Sequence, residues 1–149
     1  MREDDVLRPE YHRKYGAGMT TDLTMLTWSA LLALVLPFTY VSGLMATAGG
    51  LAWGTGNRDQ PFAEDPVWAK RARRAHANLV ENLIPFAALV LVAQAAGRAN
   101  GMTALGAQLF FWARLVYVPI YVLGLVPWRT IVFSVGTLGQ ILILVQLLG

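Results

Sequence analysis

Cysteine is absent from the 149-residue chain, which excludes disulfides, thiolate metal sites and any cysteine nucleophile. Histidine is scarce: His12 and His76 are isolated from each other, so no protein metal site is expected. Charge is scarce too. Charged residues make up 14% of the chain against 56% hydrophobic, where an ordinary soluble domain carries about 25% charged residues. The shortfall is concentrated in long apolar runs, which marks an integral membrane protein and leaves no room for a separate soluble domain. Neither a Gly-rich phosphate loop nor a nucleophile elbow occurs. Basic and aromatic residues do not interleave, so the net charge of +3 argues for membrane topology and anionic lipid, with no nucleic-acid partner. Internal repeats and low-complexity segments are missing as well.

What is present is four apolar spans, hence an all-α integral membrane four-helix bundle. The first runs from Leu23 to Ala52, with a kink expected at Pro37. A second helix is predicted to start at Pro66, with Asp65 as its N-cap, and to continue to Ala96, since proline favours the first helical position. The third span, Thr103 to Leu125, holds one charge, Arg114, and the fourth runs from Thr130 to Leu148. Gly97 to Gly101 and Pro127-Trp128-Arg129 read as tight turns between antiparallel neighbours. Most of these spans exceed the roughly 20 residues that cross a bilayer. Residues 22–149 thus form one membrane domain, preceded by a polar tail at 1–21. That tail has no apolar core before a cleavage site, so it is read as a disordered segment or an extension and not as a signal peptide. Met19-Thr20-Thr21-Asp22 would serve as an alternative start.

Lysine and arginine counts set the orientation. The first loop and the start of the second helix hold Arg58, Lys70, Arg71, Arg73 and Arg74, and the third loop adds Arg129, six in all. The opposite side has Arg98 plus Arg2, Arg8, Arg13 and Lys14 of the tail, five in all. The first and third loops are therefore expected in the cytoplasm, with both termini outside.

One segment stands out chemically. Along Arg71-Ala72-Arg73-Arg74-Ala75-His76-Ala77-Asn78-Leu79-Val80-Glu81-Asn82, polar groups enter what becomes a membrane span. Arg71, Arg74, Asn78, Glu81 and Asn82 share a helical arc of roughly 100°. Polar groups in hydrocarbon are costly and persist mainly where they bind or move something. The plainer reading is a topology-fixing basic patch with Asn78 and Glu81 joining helices.

Four-span topology puts the start of the second helix, the end of the third and the start of the fourth on one membrane side. Arg114, Tyr117 and Tyr121 follow 3–4 spacing and share a face. Arg129 stands where the fourth helix begins, so its charge and the helix N-terminus both favour an anion. For the tyrosines the plainer reading is an interfacial belt. Arg114 must pair with a carboxylate or line a wet cavity. Glu81 is the obvious protein partner, which keeps a purely structural ion pair open.

Arg74-Ala75-His76-x-Asn78-x-x-Glu81-Asn82-x-x-Pro85-Phe86 resembles the helix-two signature of the MAPEG family, the membrane-associated proteins of eicosanoid and glutathione metabolism, in its microsomal glutathione transferase branch. Ala113-Arg114-x-x-Tyr117-x-x-x-Tyr121 is similar to the family's third helix, and Arg129 lies where several members have a catalytic arginine. The resemblance covers about residues 22 to 148. It implies homotrimers with three glutathione sites at subunit interfaces near the cytosolic side. It also implies that Arg74, Asn78, Glu81, Arg114 and Tyr121 contact glutathione, with Arg71, His76 and Tyr117 as weaker candidates and Arg129 or Arg114 as catalytic arginine. Two departures stand out: Gly49-Gly50 occupies the end of helix one, where several members have basic residues, and Arg129 is offset by about one residue.

The resemblance and the residues agree in chemistry. Glutathione carries two carboxylates, an ammonium and a thiol, which arginines, Asn78 and Glu81 complement. An arginine near sulfur stabilises a thiolate, lowering a thiol pKa from about 8.5 toward neutrality. The expected function is a glutathione-dependent membrane transferase or peroxidase of a bacterial inner membrane, acting on hydrophobic electrophiles or lipid hydroperoxides. Glutathione is its co-substrate and no metal is needed. The alternatives are a non-enzymatic membrane scaffold or lipid-binding protein retaining the fold, and a small transporter using Glu81 and Arg114 as a relay. Clustering of arginines at one membrane face favours anion binding over a translocation path.

Overall fold

A computed structural model describes residues 18–59 and 65–149 of the chain. Of the tail expected at residues 1–21 to be disordered or an extension, residues 1–17, with Arg2, Arg8, His12, Arg13 and Lys14, lie outside the described residues, and its last residue, Thr21, opens the first helix. Five helices follow: α1 (Thr21–Met45), the short α2 (Gly50–Thr55), α3 (Val67–Ala95), α4 (Gly101–Leu123) and α5 (Val126–Leu148). All but α2 are long and apolar enough to cross a membrane. The first apolar span is thus two helices. Gly49, at φ 74°, turns the chain between them, and Gly50 packs on the Leu44 carbonyl where no Cβ fits.

Local chemistry sets the ends. Thr20 caps α1, its hydroxyl accepting from the Leu23 amide at 3.4 Å. Asn100 caps α4 through a reciprocal box with Thr103: its Oδ1 accepts from the Met102 and Thr103 amides, and its own amide donates to Thr103 Oγ1 at 2.9 Å, satisfying donors a helix start otherwise leaves bare. Two expected boundaries move. Asp65 does not cap α3; Pro66 takes the cap position without a side-chain bond, and the Asp65 carboxylate pairs with Arg73 at 3.0 Å instead. Pro127-Trp128-Arg129 is not a turn but the first turn of α5, because proline at the start of a helix gives up an amide that has no partner there anyway. Gly124, at φ 78°, makes the reversal before it.

The core holds the helices in register near the side opposite the arginines. Phe86, Val90 and Ala93 of α3 meet Ala107 and Phe110 of α4 and Ile143 of α5, and the Phe86 and Phe110 rings stack at 3.9 Å. α4 and α5 come closest. A Cβ at Gly106 would strike the Gly139 carbonyl, and one at Gly139 would strike the Gly106 carbonyl, so backbone meets backbone as small residues allow in membrane helix pairs. At the far end Asp22 is buried, its Oδ2 accepting from Thr103 Oγ1 at 2.8 Å and from Gln94 Nε2 at 3.5 Å. It joins α1, α3 and α4 there. Phe38, Ile84, Leu123 and Leu148 are more than two-thirds exposed, as residues facing lipid or another subunit would be.

Candidate functional site

The site is assembled where α3 begins its crossing, α4 ends its own and α5 starts. Asn78 of α3, Tyr117 and Tyr121 of α4, and Arg129, Thr130 and Phe133 of α5 line a cleft of about 330 Å³. On α4, Arg114, Tyr117 and Tyr121 fall on one face because their spacing follows the helical turn. The rings of Tyr117 and Tyr121 lie 5.4 Å apart, and Tyr117 is 6.4 Å from Phe133. Arg129 holds its guanidinium 5.4 Å over the Tyr121 ring, in the first turn of α5, where the helix dipole adds to its charge.

Arg114 lies behind this lining and is only 1% exposed. Its Nη1 donates to Asn78 Oδ1 at 3.1 Å, while Nε and Nη2 have no partner. Aromatic rings surround it, with Phe133 at 4.9 Å, Phe110 at 5.1 Å and Tyr117 at 5.9 Å. Ring faces offset part of the cost of burying a cation. Space comes from Gly136 of α5, where a Cβ would sit 3.5 Å from the guanidinium carbon.

The expected Glu81–Arg114 ion pair is not formed within the chain. Asn78, one turn before Glu81 on α3, reaches Arg114 first, and Glu81 faces outward, exposed and without a partner among the described residues. Arg114 and Arg129 therefore leave the cleft strongly positive, with no carboxylate in its lining. Such a concavity concentrates anions.

Other expected site residues go elsewhere. Arg74 stands exposed beside Asn78 on the same stripe, outside the cleft lining. Arg71 donates from Nη1 to the Val122 carbonyl at 3.2 Å and packs on Gly124, closing the C-terminal end of α4, where a cation answers both the bare carbonyls and the dipole. His76 Nδ1 is 3.0 Å from the Tyr40 hydroxyl, joining α3 to α1. Thus Asn78, Arg114, Tyr117, Tyr121 and Arg129 gather, while Arg74 and Glu81 flank and Arg71 and His76 bind their own chain. Thr130, Phe133 and Gly136 went unnoticed in the sequence. Phe133 and Gly136 could have been found by following the α5 face onward from Arg129.

Asn82 adds a detail of the same face. Pro85 has no amide to give, and Gln140 Nε2 of α5 donates to the Asn82 carbonyl at 3.0 Å. This bond ties α5 to α3 one residue beyond the Glu81 carbonyl, the acceptor that Pro85, four residues on, leaves without its helical donor.

Among known proteins, the family model described as the MAPEG family matches residues 25–149 of this chain. Neither a curated protein nor a solved structure matches it.

Proposed function

Because the chain belongs to the MAPEG family, we propose that it is a glutathione-dependent membrane transferase or peroxidase working on hydrophobic electrophiles or lipid hydroperoxides. One observation carries this reading: a buried arginine with two unpartnered nitrogens stands behind a positive cleft that contains no counter-charge. The tripeptide's carboxylates would take those donors through Arg114 and Arg129, with Asn78 and Tyr121 as hydrogen-bonding neighbours. Arg129, at the start of α5, would stabilise the thiolate, since charge and helix dipole act together on an anion there.

Among the described residues Arg74 and Glu81 have no partner within one chain. In a homotrimer with these stripes at the subunit interfaces, both would border the cleft, Glu81 answering the ammonium and Arg74 a carboxylate. Apolar crevices open to lipid, such as the one of about 370 Å³ between Pro85, Leu89, Gln140 and Leu144, would admit the second substrate. The positive-inside pattern supports a cytoplasmic position for this face, in what we take to be a bacterial inner membrane.

The test is glutathione titration of the detergent-purified protein followed by conjugation with an apolar electrophile. Arg114→Ala is expected to weaken binding by about 1.5–3 kcal/mol, the range for hydrogen bonds to a charged group. Wild-type protein that neither binds glutathione nor conjugates it would refute the proposal.

A further inference from the structure

A second cavity, sharing no residue with the first, lies between the end of α1, α2 and the start of α3. Tyr40, Val41, Leu44 and Met45 of α1, Trp53 and Gly54 of α2, Arg58 and Arg73 enclose about 200 Å³. Its two halves differ in chemistry. Val41, Leu44 and Met45 form an apolar floor in the last turns of α1, where that helix leaves the membrane. Arg58 and Arg73 form the other wall.

Both arginines are held in place. Arg58 donates from Nε and Nη2 to the Gly54 carbonyl, at 3.1 and 2.6 Å, and lies 5.6 Å over the Trp53 ring. Its backbone takes φ 58°, the positive value that non-glycine residues rarely adopt, and no other non-glycine residue among those described does so. That turn folds the guanidinium back over the cavity. Arg73 donates from Nη1 to Asp65 and lies 5.6 Å over Tyr40, whose hydroxyl is tied to His76. The remaining guanidinium N–H groups have no hydrogen-bond partner among the described residues. Among the described residues the lining holds two guanidiniums and no carboxylate, and Asp65 pairs with one of the two, which leaves one positive charge uncompensated.

We propose that this cavity holds the head group of an anionic phospholipid, its phosphodiester on Arg58 and Arg73 and its first acyl carbons on Val41, Leu44 and Met45. A single excess charge matches a phosphodiester monoanion. The apolar floor is of use to a lipid and of none to a free phosphate. The position, at the end of a membrane crossing on the arginine-rich face, is where basic pockets meet anionic leaflets.

The probe is phosphatidylglycerol, titrated into delipidated full-length protein in detergent and counted by native mass spectrometry, with zwitterionic phosphatidylcholine in parallel. Phosphatidylglycerol should be retained at one molecule per subunit, and phosphatidylcholine more weakly. Arg58→Gln and Arg73→Gln should each lower retention about fivefold, as expected for one cation near an anionic head group. Val41→Trp, which fills the floor without touching a hydrogen bond, should lower it as well, and glutathione titration should be unchanged in all three. Thermal melting checks folding, and if Arg58→Gln melts early because Gly54 loses its donor, Val41→Trp decides. Equal retention of the two lipids, undiminished retention in Val41→Trp, or displacement by soluble glycerophosphoglycerol as effective as by the lipid would overturn the proposal.

Discussion

Arg114 is a cation in a cage of rings, and its surroundings explain why it is poised for a ligand. Three aromatic faces and one amide oxygen solvate it incompletely, so its free nitrogens gain most from an anion that brings its own charge. Arg129 differs. It is exposed, at a helix start, over Tyr121, and so is suited to a charge that develops during reaction. This division of labour is testable by titrating thiolate absorbance in Arg129→Leu and Arg114→Leu, each saturated with glutathione. Arg129→Leu should raise the bound thiol's pKa and slow conjugation while affecting binding less; if only Arg114→Leu shifts the curve, Arg129 is a topology charge. The type and spacing of Arg114, Tyr117 and Tyr121 were legible in the sequence. The partner of Arg114 was not, because Asn78 and Glu81 lie on one stripe and only helix rotation decides which of them reaches it.

Among the helix pairs, α4 and α5 pack most tightly, backbone against backbone. With Gly106 and Gly139 against each other's carbonyls, any side chain there pushes the helices apart. Gly139→Leu is therefore expected to cost about 1–3 kcal/mol or more by overpacking, and to displace Arg129 relative to Arg114. A lowered melting temperature in detergent together with weakened glutathione binding would show both effects; a Gly139→Leu protein that melts like wild type would contradict this packing. Apolar length made the four spans readable. The break between α1 and α2 was hidden because Gly49-Gly50 sits inside an apolar run, and the start of α5 because proline and tryptophan read as a turn when their neighbours are unknown.

For the whole molecule, the unpaired Arg74 and Glu81 bear on assembly. A carboxylate and a guanidinium on the flank of a membrane helix are costly against lipid, so the protein is expected to be a homotrimer that covers them. Mass measurement in a mild detergent should give three subunits, and monomers alone would leave those charges unexplained. The stripe was visible in the sequence as a periodicity, but which neighbour covers it depends on surfaces of another copy, and no single chain encodes that in its own spacing. The buried Asp22 adds a matter of timing. Its acceptor oxygen waits on Gln94 and Thr103, residues synthesised long after α1 has entered the membrane. Until they arrive the carboxylate has only water to accept from, at the end of the helix where α1 starts. Locking the far end of the bundle is thus expected to come late in biogenesis, once Thr103 at the start of α4 has been made.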